Sequence, residues 1–240
     1  NAKAQAANFP FCTIEPNVGV ITVPDERLIE LERLIKPHKV IPATVEIVDI
    51  AGLVKGASKG EGLGNQFLGN IRTTNAIIHV IRCFDDENVV HVDGSVNPVR
   101  DKEIIDTELQ LKDMETIEKR MARVEKQARI GADKESKAQL EILQALYEHI
   151  GKGNTARSYS LSKEDKEKFI DELCLLTMKP VIYVCNVDEA SVVTGNAYTK
   201  AVEEAVKNEQ AEILLISAAI ESEIAAMENF EDRKLFLEDL

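Results

Sequence analysis

Cysteine is scarce, no apolar run is long, and positive charge is in deficit; each lack closes off a class of function. The four cysteines, Cys12, Cys83, Cys174 and Cys185, form no C-x-x-C pair, so no disulfide frame is expected and the chain reads as one kept in a reducing compartment. No stretch approaches the roughly 20 apolar residues that a membrane span needs. The opening segment, Asn1 to Phe11, has no apolar core of the kind a signal peptide carries. A cytoplasmic location is the expectation. With 29 Lys and Arg against 42 Asp and Glu, the formal net charge is -13. That excludes broad electrostatic adhesion to nucleic acid or anionic lipid, because phosphate contacts need cationic side chains. A local basic patch stays open.

What is present is enough for a packed core. The 240 residues are 44% hydrophobic and 30% charged, which suits one large domain or one domain with an insertion. Short runs rich in Val and Ile at Val45–Ile50, Ala76–Arg82, Val181–Asn186 and Glu212–Ser217 do not alternate with polar residues. They read as parallel strands covered on both faces. Helical stretches at Glu26–Lys36, Leu63–Asn70 and Lys200–Asn208 separate them, and this alternation predicts an α/β fold with a mostly parallel sheet.

Between about Pro98 and Met178 the rhythm changes. Met114, Ile117, Met121, Val124 and Ala128 recur at spacings of 3 and 4, as do Leu140, Leu143, Tyr147 and Ile150, with Gly131 between the sets. The spacing predicts a helical hairpin sealed by an apolar seam. The first arm carries Lys119, Arg120, Arg123, Lys126 and Arg129 nearly unopposed. That stripe is either a solvated face or a docking surface.

The second strand ends in Asp49-Ile50-Ala51-Gly52-Leu53, and Gly56, Gly60, Gly62 and Gly64 follow. An Asp at a strand end in this D-x-x-G pattern helps hold Mg²⁺ in nucleotide hydrolases. The Gly three residues later lets a backbone N–H approach the terminal phosphate. Glycine-rich sequence of this sort orders on a ligand, as a switch loop requires. Neither G-x-x-x-x-G-K-[ST] nor G-x-G-x-x-G occurs, and the one Gly-Lys pair, Gly151-Lys152, runs into Gly153.

Beyond the strand at Val181 lies Asn186-Val187-Asp188-Glu189. GTPases place Asn-Lys-x-Asp here, the Asp accepting two hydrogen bonds from guanine. This chain puts Val187 at the Lys position and Glu189 at the Asp position, with Asp188 one residue out of register. Adenine has no 2-amino group and its N1 is an acceptor, so a carboxylate gains little from it; the altered motif weakens the case for guanine and opens that for adenine. The strand at Glu212 ends in Ser217-Ala218-Ala219, where GTPases offer backbone N–H groups to the base.

Longer runs carry a resemblance. Asn8-Phe9-Pro10-Phe11-Cys12-Thr13-Ile14-Glu15-Pro16-Asn17 resembles the switch I segment of the Obg-like ATPases, also called YchF. Asp49 through Ala57, Gly60-Glu61-Gly62-Leu63-Gly64-Asn65, and Arg82-Cys83-Phe84 followed by Val90-His91-Val92 extend the resemblance over the whole chain. It implies a P-loop NTPase fold of the TRAFAC, GTPase-like kind with a coiled-coil insertion. Residues 1–97 and 179–240 would form the nucleotide-binding domain and 98–178 the insertion. It implies ATP as ligand in preference to GTP, with Mg²⁺ and an optional K⁺, and ties to the ribosome. By family position Thr13 and Asp49 would serve Mg²⁺. Gly52, Asn186, Val187, Glu189, Ser217, Ala218 and Ala219 would meet the nucleotide, Val187 through its backbone. The family's phosphate loop would precede Asn1 and a small TGS domain would follow Leu240, so the 240 residues by themselves are expected to hold nucleotide weakly.

Leu53 stands where Ras-like enzymes place the Gln that orients the attacking water, and it has no polar group for that work. The resemblance points to His91 as the catalytic substitute, a neutral imidazole being able to donate to or accept from water. The alternatives are Lys59 or Glu61 in the glycine-rich segment, or a His91 that merely caps structure near Asp86 and Glu87. His79, inside an apolar strand, reads as a core histidine. Two other functional readings stand beside the ATPase: a guanine-specific GTPase of the Obg or Era sort, and a non-catalytic interaction module acting through the hairpin.

Overall fold

The computed structural model describes residues 17–50, 56, 63–89, 91, 94–131, 134–209, 211–227 and 229. The chain divides into two compact units, residues 1–52 and 53–240.

In the first unit β1 (Asn17–Thr22) and β2 (Thr44–Asp49) pair antiparallel, from Asn17 opposite Asp49 to Thr22 opposite Thr44. Between them runs α1 (Glu26–Ile35). Asp25 caps its start by accepting from the Arg27 N–H at 3.0 Å, and Lys36 closes it in a left-handed conformation at φ 49°. The run at Val45 therefore departs from expectation. It is an antiparallel strand, largely exposed, rather than a parallel strand covered on both faces. Its apolar residues are β-branched throughout, and that pattern does not distinguish the two.

The second unit is built on a parallel sheet in the order β3 (Ile77–Arg82), β4 (Val181–Asn186), β5 (Glu212–Ile216). Ile77 lies opposite Val181 and Arg82 opposite Asn186; Ile182 lies opposite Glu212 and Asn186 opposite Ile216. One face packs Ile81, Tyr183 and Cys185 against Val202 and Val206 of α5 (Ala197–Val206). Residues of the other face, Ile78, Val80, Ile182 and Leu214, are 53%, 61%, 40% and 54% exposed. The two-sided cover expected for these strands is thus seen on one face only, because the continuous apolar sequence supplies both faces while the helices described here cover one.

The hairpin is as the periodicity predicts. The 34-residue α3 (Pro98–Gly131) and α4 (Lys134–Gly151) pack along Ile117, Val124, Leu143, Leu146 and Ile150. This is a core of its own, which Ala156, Phe169, Ile170 and Leu175 complete from the helical turns between residues 156 and 178. The stripe on the first arm is less unopposed than its sequence suggests. Glu115 pairs with Lys112 at 2.7 Å and with Lys119, and Glu172 pairs with Arg120. The two lysines hold the Glu115 carboxyl down at about 2.

A polar residue sits within the seam. Leu109, Asp113 and Ile117 follow at spacings of four and all are buried, Asp113 completely. The Asp113 carboxylate accepts from the Leu176 N–H at 2.6 Å, and from the Thr177 N–H and hydroxyl at 2.7 Å each. The Thr177 oxygen accepts in turn from the Ala156 N–H at 2.9 Å. Burial pushes the carboxyl above its ordinary value and the Thr177 and Leu176 donors oppose that rise. Closer to the sheet, the Lys102 ammonium meets Asp106 and Glu209 at 2.6 Å each. Glu209 also accepts from Tyr183 Oη and from Arg157 at 2.7 Å. Burial works against the Lys102 charge, but these carboxylates outweigh it and hold the amine above its usual range.

Asp113→Ala would strand two buried backbone donors, each worth about 1–3 kcal/mol when unsatisfied. The expected loss is about 3 kcal/mol or more in urea unfolding followed by circular dichroism. A loss under about 1 kcal/mol would show that the segment before β4 finds other acceptors.

Candidate nucleotide site at the sheet edge

Parallel strands that end in step present their carboxyl ends together, and open α/β sheets bind ligands at that edge. Here β4 is central, and Asn186 closes it between Arg82 and Ile216. The ladder continues one bond past each strand end. The Cys83 N–H donates to the Asn186 carbonyl at 2.8 Å, and the Val187 N–H to the Ile216 carbonyl at 2.8 Å.

The Asn186 side chain reaches sideways, and its Oδ1 accepts from the Ala218 N–H at 3.0 Å. Ala218 opens α6 (Ala218–Ala226), so this bond satisfies one of the helix's orphan first-turn donors. It ties together the two segments that sequence reading pairs. Ser217 is buried, whereas Ala218 and Ala219 are exposed at the helix start. Asn196 builds the third side: it caps α5 through Tyr198 and Thr199, and its Nδ2 donates to the Cys83 carbonyl at 2.8 Å. Cys83 and Cys185 are both buried in the sheet core, and their interaction with each other pushes the Cys83 thiol up and the Cys185 thiol down.

Val187 is 3% exposed and packs in the sheet core, which explains an apolar residue at a position where GTPases carry Lys. Asp188 accepts from the Ser191 N–H at 2.9 Å and caps the short turn Glu189–Ser191. Its carboxylate is engaged locally, and Glu189 is left exposed at the start of that turn.

His91 stands apart from these residues in sequence and is held from α3. Its Nε2 lies 2.8 Å from Asp101 Oδ2, while Asp101 Oδ1 accepts from Arg100 at 2.8 and 3.0 Å. The imidazole is 18% exposed. Of the two acids near it in sequence, Asp86 accepts from Asn88. His79 faces the Tyr183 ring at 5.6 Å, and burial depresses its basicity, as a core histidine requires. Asp49 ends β2, exposed, opposite Asn17. Thr13, Gly52, Leu53, Lys59 and Glu61 lie outside the described residues. Among the described residues no three His, Cys, Asp or Glu side chains converge as a metal site, and no helix is long and apolar enough to cross a membrane.

Asn196, Glu108 and Asp113 were not singled out from sequence. Asn196 had a signal, an Asn three residues before Thr199 at a helix start. Asp113 had one too, a lone acid at seam spacing.

Comparisons with known proteins bear on the family and the fold. Residues 1–187 match the family profile described as 50S ribosome-binding GTPase. Proteins named ribosome-binding ATPase YchF from Bacillus subtilis (strain 168) and Escherichia coli O157:H7 are each 48% identical to the chain. The matches run over 241 and 239 residues, spanning 100% of this chain and 65% of each relative. The chain therefore covers just under two thirds of the length of these curated relatives. A solved structure of the Schizosaccharomyces pombe YchF GTPase superposes with a TM-score of 0.79 at 34% identity, covering 97% of this chain and 63% of that one. The resemblance to the Obg-like ATPases and the GTPase-like fold with a helical insertion are borne out.

Asn186→Ala removes the acceptor that holds the Ala218 N–H. Exchange of the Ala218 amide is expected to quicken by about tenfold, measured by hydrogen–deuterium exchange, with Asn186→Asp retaining most of the protection. Unchanged exchange in the Ala variant would show that the α6 start is held by other means.

Proposed function

The chain belongs to the 50S ribosome-binding GTPase family, and from that premise we propose that this protein is a nucleotide-dependent switch that binds and hydrolyses ATP, takes GTP less well, and works on the ribosome. The observation that carries the nucleotide reading is the Asn186–Ala218 bond, which draws the Asn-Val-Asp-Glu and Ser-Ala-Ala segments to one edge. Residues 1–97 and 179–240 form the nucleotide-binding part and 98–178 the helical insertion.

The base chemistry follows from which groups are already engaged. The Val187 N–H is given to Ile216, so its carbonyl is the atom that receives the adenine amino group. The Ala218 N–H is given to Asn186, so the base takes its donor from Ala219 at the helix start. Glu189 gains little from adenine. A guanine reading would need Glu189 to do the work of the shorter Asp, and it becomes the outcome if GTP binds more tightly. With the Gly52 N–H beside the terminal phosphate, Mg²⁺ would be held through the Thr13 hydroxyl and the Asp49 carboxylate. These are hard oxygen donors of the kind Mg²⁺ takes, with its remaining positions filled by water and phosphate. When bound it offsets the charge developing on the phosphates. A K⁺ ion would add charge of the same sign.

His91 is the proposed water-positioning residue. Its Nε2 contact with Asp101 fixes the orientation of the imidazole, and a neutral ring can accept from or donate to water. The docking face is the first hairpin arm. There Arg72, Lys112, Lys119, Arg120 and Arg123 surround an open groove of about 290 Å³ with only Glu115 and Glu172 opposing them. That local excess of positive charge suits the phosphate backbone of a ribosomal partner.

In the full-length protein ATP is expected to bind more tightly than GTP by calorimetry, and tenfold tighter GTP binding would overturn the adenine reading. Glu189→Asp is expected to shift the preference toward GTP. It is a cleaner probe than Val187→Lys, which would put an amine into the core.

His91→Ala is expected to lower single-turnover hydrolysis by about 10²-fold or more while ATP affinity holds within about twofold. Unchanged turnover would return His91 to a structural role and move attention to Glu61.

A further inference from the structure

The long helix α3 grips the segment around α2 (Leu63–Arg72) along one face. At its base, Glu108 Oε1 accepts from the Gly56 N–H at 2.7 Å. One turn on, the Lys112 ammonium donates to Asn65 Oδ1 at 2.9 Å; one further turn on, Thr116 Oγ1 accepts from Arg72 at 2.8 Å. Residues 108, 112 and 116 share a helix face by their spacing of four. Their partners lie before α2, at its start and at its end. Beside this polar stripe Leu109 and Ile105 pack with Leu68, Ile71 and Leu176.

Glu108 is the unusual member. It is only 4% exposed, and a buried carboxylate is costly unless donors meet it. Gly56 adopts φ 90° with nothing within 4 Å of where a Cβ would stand. Glycine is required there for its backbone angle, not for space. In sequence Gly56 follows Gly52 by four residues and Asp49 by seven. The same α3 continues outward to Lys119, Arg120 and Arg123.

We infer that Glu108 is a positioning residue for hydrolysis. Its carboxylate fixes the backbone of Gly56 to the helix that also carries the docking face. The inference rests on the ATPase reading above. Glu108 does not touch the reacting atoms; it acts through the backbone of the segment it holds.

The test uses the full-length protein with Glu108→Met, which keeps the bulk and removes the acceptor, and Glu108→Gln, which returns an acceptor oxygen. Two readouts are taken: exchange of the Gly56 amide in nucleotide-free protein, and kcat and KM for ATP. In the Met variant Gly56 exchange is expected to quicken by about tenfold and kcat to fall by about tenfold, with KM within about twofold. Glu108→Gln is expected to recover both to within about threefold. Wild-type exchange and turnover in the Met variant would overturn the inference. So would a Gln variant as impaired as Met, since the charge rather than the accepted bond would then matter. Should the Met variant fail to fold, Glu108→Ala takes its place with the same criteria. If the wild type does not hydrolyse ATP, the ATPase reading and the positioning role of Glu108 in hydrolysis fail together. The Gly56 exchange still decides separately whether Glu108 holds that residue.

Discussion

The Asp113 carboxylate is the constraint around which the second unit is arranged. A fully buried acid is tolerable only where donors surround it, and three do, all from Leu176 and Thr177. Because those residues lie just before β4, the side chain fixes where the central strand begins relative to the hairpin. Lys179 adds a second anchor from the same stretch: its ammonium donates to the Arg72 and Thr74 carbonyls at the end of α2. Strand β4 thus enters the sheet already tied to two helices. Its far end, Asn186, inherits that placement.

The charged cluster at the base of α3 does for orientation what Asp113 does for position. Lys102, Asp106, Glu209, Arg157 and Tyr183 come from α3, from β4, from the turn near 157 and from the loop after α5. An apolar patch of the same size would tolerate sliding, whereas hydrogen-bonded charges demand fixed partners. Lys102 also stands 5.2 Å from the centre of the Tyr183 ring, a cation over an aromatic face. Lys102 and Glu209 each meet more than one neighbour. Loss of a single member therefore leaves buried charge without its counterpart rather than a simple void.

Much of this was legible in the sequence, for a physical reason. Strands and the hairpin seam are written in periodicity, and the edges at Asn186 and Ser217 in short motifs that terminate strands; both are local. The antiparallel pairing of β2 was not legible, because β-branched runs look alike in either direction. Nor was the one-sided cover of the sheet, since Ile78 and Val80 are apolar whether or not a helix lies over them. The contact of His91 with Asp101 was not legible for a related reason. Asp86 and Glu87 are nearer in sequence, but the start of α3 brings Asp101 to the ring. Glu108 was invisible because a Glu in a helix is ordinary until a glycine 52 residues away is seen to donate to it.

A formal charge of -13 and a basic arm are not in conflict. A net charge is a sum over the whole chain, and it leaves room for a local cationic cluster such as that on α3. That cluster is tuned rather than maximal. Glu115 takes up Lys112 and Lys119, and Glu172 takes up Arg120, and such exposed pairs are worth little individually. A partner anion would then cost these side chains little rearrangement, and the helix that carries them is already anchored at Asp113 to the strand that ends in Asn186.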